Sequence, residues 1–283
     1  MTLLLIHTGG TIGMAPGPEG LRPEPGLVEA AIAARLPRGV ALRAHLFAPL
    51  KDSADIGPTD WNRMLDQIEA APAMPTLITH GTDTMAFTGA ALSQALAGQP
   101  RRVVLCGSMQ PLGQGGDAER NLDLALTAAQ APGAGVDLAF NGRLLPAAGL
   151  VKHHSHAADA FRSQPQEAFP APARRRFDPA RRLAVLTLSP GLPAPALAAV
   201  LAQLDGAVLR VFGAGTVMAD SAVLDALKEA LAAGKRLRAV SQCEAGGLAP
   251  GAYAAGAALW AAGVENGGQE TPEAALARLW LCT

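Results

Sequence analysis

Short apolar runs that stop at glycine or a polar residue recur along the chain, separated by stretches in which apolar side chains return every three to four positions. The runs at 3–7, 76–79, 102–106, 147–151, 183–188, 207–211 and 238–241 read as buried strands. The stretches at 27–36, 60–70, 85–96, 119–129, 194–204, 221–232 and 251–262 read as helices, many of them entered through Pro, Gly, Asp or Thr. Strand and helix in alternation predict an α/β protein whose mainly parallel sheet is flanked by helices on both faces. Between 163 and 182 the period is lost among prolines and arginines. The expected organisation is therefore a larger N-terminal domain over 1–165, a linker over 166–182 and a smaller C-terminal α/β domain over 183–283. No internal repeat at a solenoid period is found.

Two of the runs end in threonine-centred turns. The first is His7-Thr8-Gly9-Gly10-Thr11-Ile12-Gly13 and the second His80-Gly81-Thr82-Asp83-Thr84. Open α/β sheets gather ligands at the carboxyl ends of their strands, so both turns should face one crevice. Glycines there let the backbone turn tightly and approach a ligand, presenting Thr11 and Thr82 beside free N–H donors. Either turn alone is as well explained as a strand-to-helix turn with a threonine cap. Their joint occurrence favours a nucleophile with oxyanion donors. The spacing G-G-x-x-G is not that of a dinucleotide turn, and no G-x-x-x-x-G-K-[ST] occurs.

Composition narrows the class. The chain has 283 residues, enough for two domains, and no run of about 18 residues is apolar throughout. The apolar stretch 3–6 lacks a basic flank and is too short for a signal-peptide core, so a cytoplasmic address is expected, with no membrane partner. A net charge of −1 and 4% aromatic residues give neither a basic field nor stacking platforms for nucleic acid. The clusters Arg174-Arg175-Arg176 and Arg181-Arg182 read as solvated linker charges. Cys106, Cys243 and Cys282 cannot all pair within one chain and read as buried thiols.

Beside Thr82 stands Asp83, and Lys152 closes a later strand. A lysine at a strand end, partly withdrawn from water and steadied by a carboxylate, can serve as a base, so Thr82, Lys152 and Asp83 form a candidate relay. The alternative is a lysine that caps the sheet in solvent. His153, His154 and His156, with Asp159 beyond, could furnish part of a divalent site, but nothing else in the sequence completes one, and no metal is expected. Ser53, in Asp52-Ser53-Ala54-Asp55, could add a hydroxyl to the crevice. Gly107-Ser108-Met109-Gln110-Pro111 forms another strand-end loop, with Asp117 and Asn121 as crevice or cap residues.

These residues together resemble a known family. Thr8-Gly9-Gly10-Thr11-Ile12-Gly13, His80-Gly81-Thr82-Asp83-Thr84, Gly107-Ser108 with Asn121-Leu122, and Lys152 resemble the bacterial L-asparaginases, closest to the cytoplasmic type I branch. The resemblance extends through 209–215, Ser241-Gln242-Cys243 and the stretch 253–279. It implies hydrolysis of L-asparagine, with L-glutamine as a second candidate substrate, through an acyl-enzyme on Thr11. Thr82, Asp83 and Lys152 would activate the nucleophile or water. Ser53, Thr82, Asp83, Asp52, Gly10, Gly81 and Ser108 would line the substrate site. No cofactor is implied, and a homodimer or homotetramer is. Leu21 stands where the family usually carries a loop tyrosine, Ala54 where a polar residue is common, and Gly215-Thr216 where Gly-Asn is frequent. Two other readings share these motifs. One is the amidase subunit of a tRNA-dependent amidotransferase, which usually carries a domain ahead of the first motif; the other is a non-catalytic amino-acid sensor.

Overall fold

The computed structural model describes residues 1–172 and 175–281, so Arg174 and Cys282 lie outside the described residues. The chain divides into two compact units, one of Met1–Ser163 with Pro170–Phe177, the other of Gln164–Phe169 with the remainder from Asp178.

In the first unit the chain runs β1 (Thr2–Gly9), a 3-10 turn (Thr11–Gly13), a hairpin of β2 (Met14–Gly17) and β3 (Gly20–Pro23), then α1 (Leu27–Ala33) and β4 (Ala41–Lys51). A second 3-10 turn (Ser53–Asp55) leads to α2 (Pro58–Glu69), β5 (Thr76–Thr79), α3 (Met85–Ala95), β6 (Arg102–Cys106), α4 (Ala118–Gln130), β7 (Gly135–Phe140) and β8 (Arg143–Pro146). A third such turn (Ala147–Gly149) precedes β9 (Leu150–Lys152), which pairs antiparallel with β10 (Phe161–Ser163). The main sheet has the order β4-β1-β5-β6-β7-β8, parallel except for β8. Leu3 to Ile6 are all fully buried, as a central strand covered on both faces requires. Alternation divides them. Leu3 and Leu5 join Leu77, Val104 and Cys106 in a core with Val28 and Ile32 of α1 and Leu122 and Ala125 of α4. Opposite, α2 packs on β1 and α3 on β7. Chain order reverses direction about β1, since β4 lies on one side and β5 on the other. That is a topological switch point.

The second unit is a smaller parallel sheet, β11 (Leu183–Thr187), β12 (Gly206–Val211), β13 (Arg236–Ser241) and β14 (Glu265–Asn266), in that order. Helices α5 (Ala194–Gln203), α6 (Ser221–Ala232), α7 (Ala257–Ala261) and α8 (Pro272–Leu281) complete it. Its core gathers Leu209, Val211, Leu237 and Ala239 with Leu197, Val223 and Leu227.

The expected α/β architecture with a larger first and smaller second domain is the one observed. Several local expectations are corrected. The run 147–151 is not one strand, because Ala147–Gly149 wraps into a 3-10 turn and only Leu150–Lys152 is extended. The helix expected over 251–262 reduces to a 3-10 turn (Ala254–Gly256) and the five residues of α7. Two arginines expected to be solvated are docked. Arg175 donates to Ala95 O at 2.6 Å and Ala97 O at 3.0 Å, covering the end of α3. Arg176 reaches Asp66 at 2.9 Å and Glu69 at 2.6 Å on α2. Cys106 is buried, which raises its thiol pKa, whereas Cys243 is exposed rather than buried.

Candidate active site

Four neighbouring strands, β4, β1, β5 and β6, deliver their carboxyl-end loops to one edge of the first sheet. The two threonine turns meet there. Gly10 has φ of +92°, a conformation that disfavours any side chain, and a Cβ on it would fall 2.5 Å from Gly81 N. A Cβ on Gly81 would in turn lie 2.8 Å from Ser53 Cβ and Oγ. The backbones of the first turn, the second turn and the Ser53 loop are therefore stacked at van der Waals limit. Behind them β1 and β5 are cross-linked by side chains. The His7 ring Nδ1 is 2.7 Å from Thr79 Oγ1, and Thr8 Oγ1 donates to Thr79 O at 2.9 Å. Thr11 opens its 3-10 turn half-buried, above the fully buried Ile12.

In the second turn Lys152 Nζ donates to Thr82 Oγ1 at 2.9 Å and to Asp83 Oδ1 at 2.5 Å. Because the ammonium is the donor, the Thr82 hydroxyl keeps its own proton for another acceptor. The Lys152 side chain is 15% exposed and that of Asp83 is 73% exposed, so one end of this trio is sheltered and the other faces water. Thr84 Oγ1 donates to Ser53 O at 2.5 Å, tying the second turn to the loop after β4.

His80 is fully buried beneath this turn. Its Nδ1 lies 2.7 Å from Gly81 O, and since a carbonyl only accepts, the ring proton sits there. Nε2 then accepts from Thr88 Oγ1 at 2.9 Å, and Thr88 accepts from Trp61 Nε1 at 3.0 Å. Burial pushes the His80 pKa down to about 4, so the ring is neutral at ordinary pH. Burial also lowers the pKa of His7. Sequence reading did not give these buried polar side chains a role. The available signal was a histidine one or two residues before the first glycine of each turn, at or just past the end of a buried strand.

The remaining expected residues are placed as follows. Asp52 caps the short turn after β4 by accepting from Ala54 N at 2.8 Å. Ser53 is buried against Gly81. Ser108 is buried, with Oγ donating to Gln110 O at 2.5 Å. Asp117 and Asn121 hold the loop after β6 through side-chain hydrogen bonds. His154 Nδ1 accepts from the backbone N–H groups of His156 and Ala157 at 3.0 and 2.9 Å. Among the described residues no group of three or more His, Cys, Asp or Glu is placed to hold a metal ion. Leu21 lies on the β2–β3 hairpin opposite Pro16 and is 51% exposed. No described helix is long and apolar enough to cross a membrane.

Comparison with known proteins agrees over both units. Residues 2–175 match the family model for the N-terminal domain of asparaginase, and residues 182–283 that for the glutaminase/asparaginase C-terminal domain. L-asparaginase 1 of Escherichia coli K12 is 33% identical, over 98% of this chain and 90% of its own length. The solved thermostable L-asparaginase from Thermococcus kodakarensis is 30% identical with a TM-score of 0.87, covering 99% of this chain and 92% of that one. L-asparaginase I from Vibrio cholerae has the same identity and coverages with a TM-score of 0.81. With both halves matched, and the threonine turns stacked at the strand ends, the chain belongs to the asparaginase family.

Proposed function

We propose that the protein is an amidohydrolase that converts L-asparagine to L-aspartate and ammonia through an ester on Thr11. The observation that carries this reading is the close stacking of Gly10 on Gly81, which sets the Thr11 turn beside a Thr82 hydroxyl bonded to Lys152. A threonine hydroxyl is a weak nucleophile alone and needs a neighbouring proton acceptor. Thr11 Oγ attacks the side-chain amide carbon, and its proton passes to the departing nitrogen. Ammonia leaves as the C–N bond breaks. Water then adds to the Thr11 ester, and its proton returns to the Thr11 oxygen as aspartate is released.

Thr82 and Lys152 serve as the proton relay in these steps, with Asp83 fixing the lysine. Backbone N–H groups of the turns at Gly10 and Gly81 face the developing oxyanion. Ser53, Asp83, Thr82, Asp52 and Ser108 bind the amino and carboxylate groups of the substrate or shape the loops that do. The same proposal includes L-glutamine as a second candidate substrate, a cytoplasmic location, assembly as a homodimer or homotetramer, and no cofactor.

The test is ammonia release from free L-asparagine by the purified protein and by Thr11→Ala and Thr82→Val. Wild type should turn over, and each variant should lose several powers of ten in kcat while keeping its circular dichroism spectrum. Full activity in a folded Thr11→Ala would end the acyl-enzyme assignment. A wild type that binds asparagine without releasing ammonia would be a sensor. Turnover confined to conditions with a charged tRNA and partner subunits would make it an amidotransferase component.

A further inference from the structure

Asp117 immediately precedes α4, yet its side chain makes no capping bond to that helix. The carboxylate turns back to the loop after β6. It accepts from Met109 N at 3.0 and 2.9 Å, from Gln110 N at 3.0 Å and from Asn121 Nδ2 at 3.0 Å. Asn121 is fully buried. Its second amide proton goes to Gly107 O at 3.0 Å, and its Oδ1 accepts from Asn141 N at 2.9 Å. With both N–H groups and the oxygen engaged, the amide has one orientation, and buried networks of this kind rigidify what they hold.

What they hold is Gly107. A Cβ on that residue would lie 2.6 Å from His80 O and 3.5 Å from Thr82 Cγ2. The loop backbone is therefore packed against the second threonine turn, on the methyl side of Thr82. The hydroxyl side is occupied by Lys152 Nζ at 2.9 Å. Threonine is stiff about χ1, and here its hydroxyl meets Lys152 while its methyl faces the side of Gly107 on which a Cβ would stand, so the place of that backbone bears on the rotamer.

We infer that Asn121 and Asp117 are positioning residues that act through Gly107 to hold the Thr82 side chain in the rotamer that meets Lys152. The inference rests on the amidohydrolase reading for its effect on rate, but not for its effect on the Thr82 rotamer. Neither side chain has to touch substrate. Loosening the clamp misaligns one hydroxyl, and a misplacement of about 1 Å costs up to roughly 100-fold in rate.

The experiment compares Asn121→Asp with the exchange Asp117→Asn/Asn121→Asp. The single variant removes the donor to Gly107 O and sets two acceptors against each other. The exchange restores a donor and acceptor between positions 117 and 121 and keeps an acceptor for Asn141 N, but still leaves Gly107 O without its donor. Expected for the exchange is a melting temperature recovered towards wild type with kcat still about 10- to 100-fold low and KM within about threefold. Three-bond couplings to the Thr82 methyl should report a single χ1 rotamer in wild type and averaging in the exchange. Recovery of kcat together with stability would overturn the inference, because the pair would then serve the fold alone. If neither variant folds, the wild-type couplings decide, and an averaged Thr82 methyl there overturns the clamp. A wild type without turnover but with the single rotamer lost in the exchange sinks the amidohydrolase reading and leaves the clamp standing.

Discussion

Replacing Lys152 with methionine separates catalysis from stability, because the two effects differ in size by the structure's own geometry. Methionine keeps an apolar stem of similar length and removes only the ammonium. The lost partners are Thr82 Oγ1 at 2.9 Å and Asp83 Oδ1 at 2.5 Å. Asp83 is 73% exposed, so water replaces the ammonium as its partner and the ion pair contributes no more than about 1 kcal/mol. The Thr82 hydroxyl loses one neutral-acceptor bond, about another 1 kcal/mol. Together these lower the melting temperature by roughly 4 to 8 °C in a chain of this size. Loss of a proton-relay group, in contrast, costs about 10²- to 10⁴-fold in kcat, equivalent to roughly 3 to 5 kcal/mol of barrier. The assay is coupled ammonia release at saturating L-asparagine, with a thermal melt on the same preparation. A folded Lys152→Met within about threefold of wild-type kcat would refute the relay. A melting temperature lowered by tens of degrees would show that the lysine is chiefly structural.

Three further outcomes are expected. Leu21→Tyr, on an exposed hairpin position, should change stability by less than about 0.5 kcal/mol, and should raise kcat if the hairpin supplies a proton acceptor to Thr11; an equally stable but no faster variant would show that another group activates Thr11. His80 has a folded pKa of about 4 against an ordinary 6.5, so the unfolded chain binds the extra proton between those values. Stability is unaffected by this group above about pH 6.5 and falls as pH drops towards 4, by about 3 kcal/mol in all. Denaturant melts at pH 7 and pH 4.5 should register that loss, and a His80→Gln variant that retained the full slope would assign it elsewhere. EDTA should leave turnover unchanged; inactivation by EDTA reversed by zinc would move the chemistry to His153, His154 and His156.

Much of this molecule is decided by local sequence. The strands 76–79 and 102–106 and the helix 221–232 have the bounds that their hydrophobic patterns indicate, because a strand buried on both faces carries no alternating charged side and an amphipathic helix must repeat. The threonine turns are equally legible, since glycines after an apolar run have few other uses. Other elements take their form from distant partners. β4 is an edge strand with Phe47 its single buried residue, held by register with β1 rather than by its own pattern. The 3-10 turn at Ala147–Gly149 and the truncated α7 likewise follow from packing that a sequence window does not contain.

The site divides in the same way. Thr11, Thr82, Asp83 and Lys152 could be named as candidates from residue type and position, because strand ends and glycine turns mark where polar side chains collect. That Lys152 grips Thr82 at a separation of 70 positions is a tertiary fact. So is the contact of Gly10 with Gly81, and so is the use of the Asp117 carboxylate to hold a loop instead of capping its helix. Sequence pattern specifies which groups must leave water and which backbone can bend; which hydroxyl meets which ammonium depends on sheet order and register, and those exist only once the chain has folded.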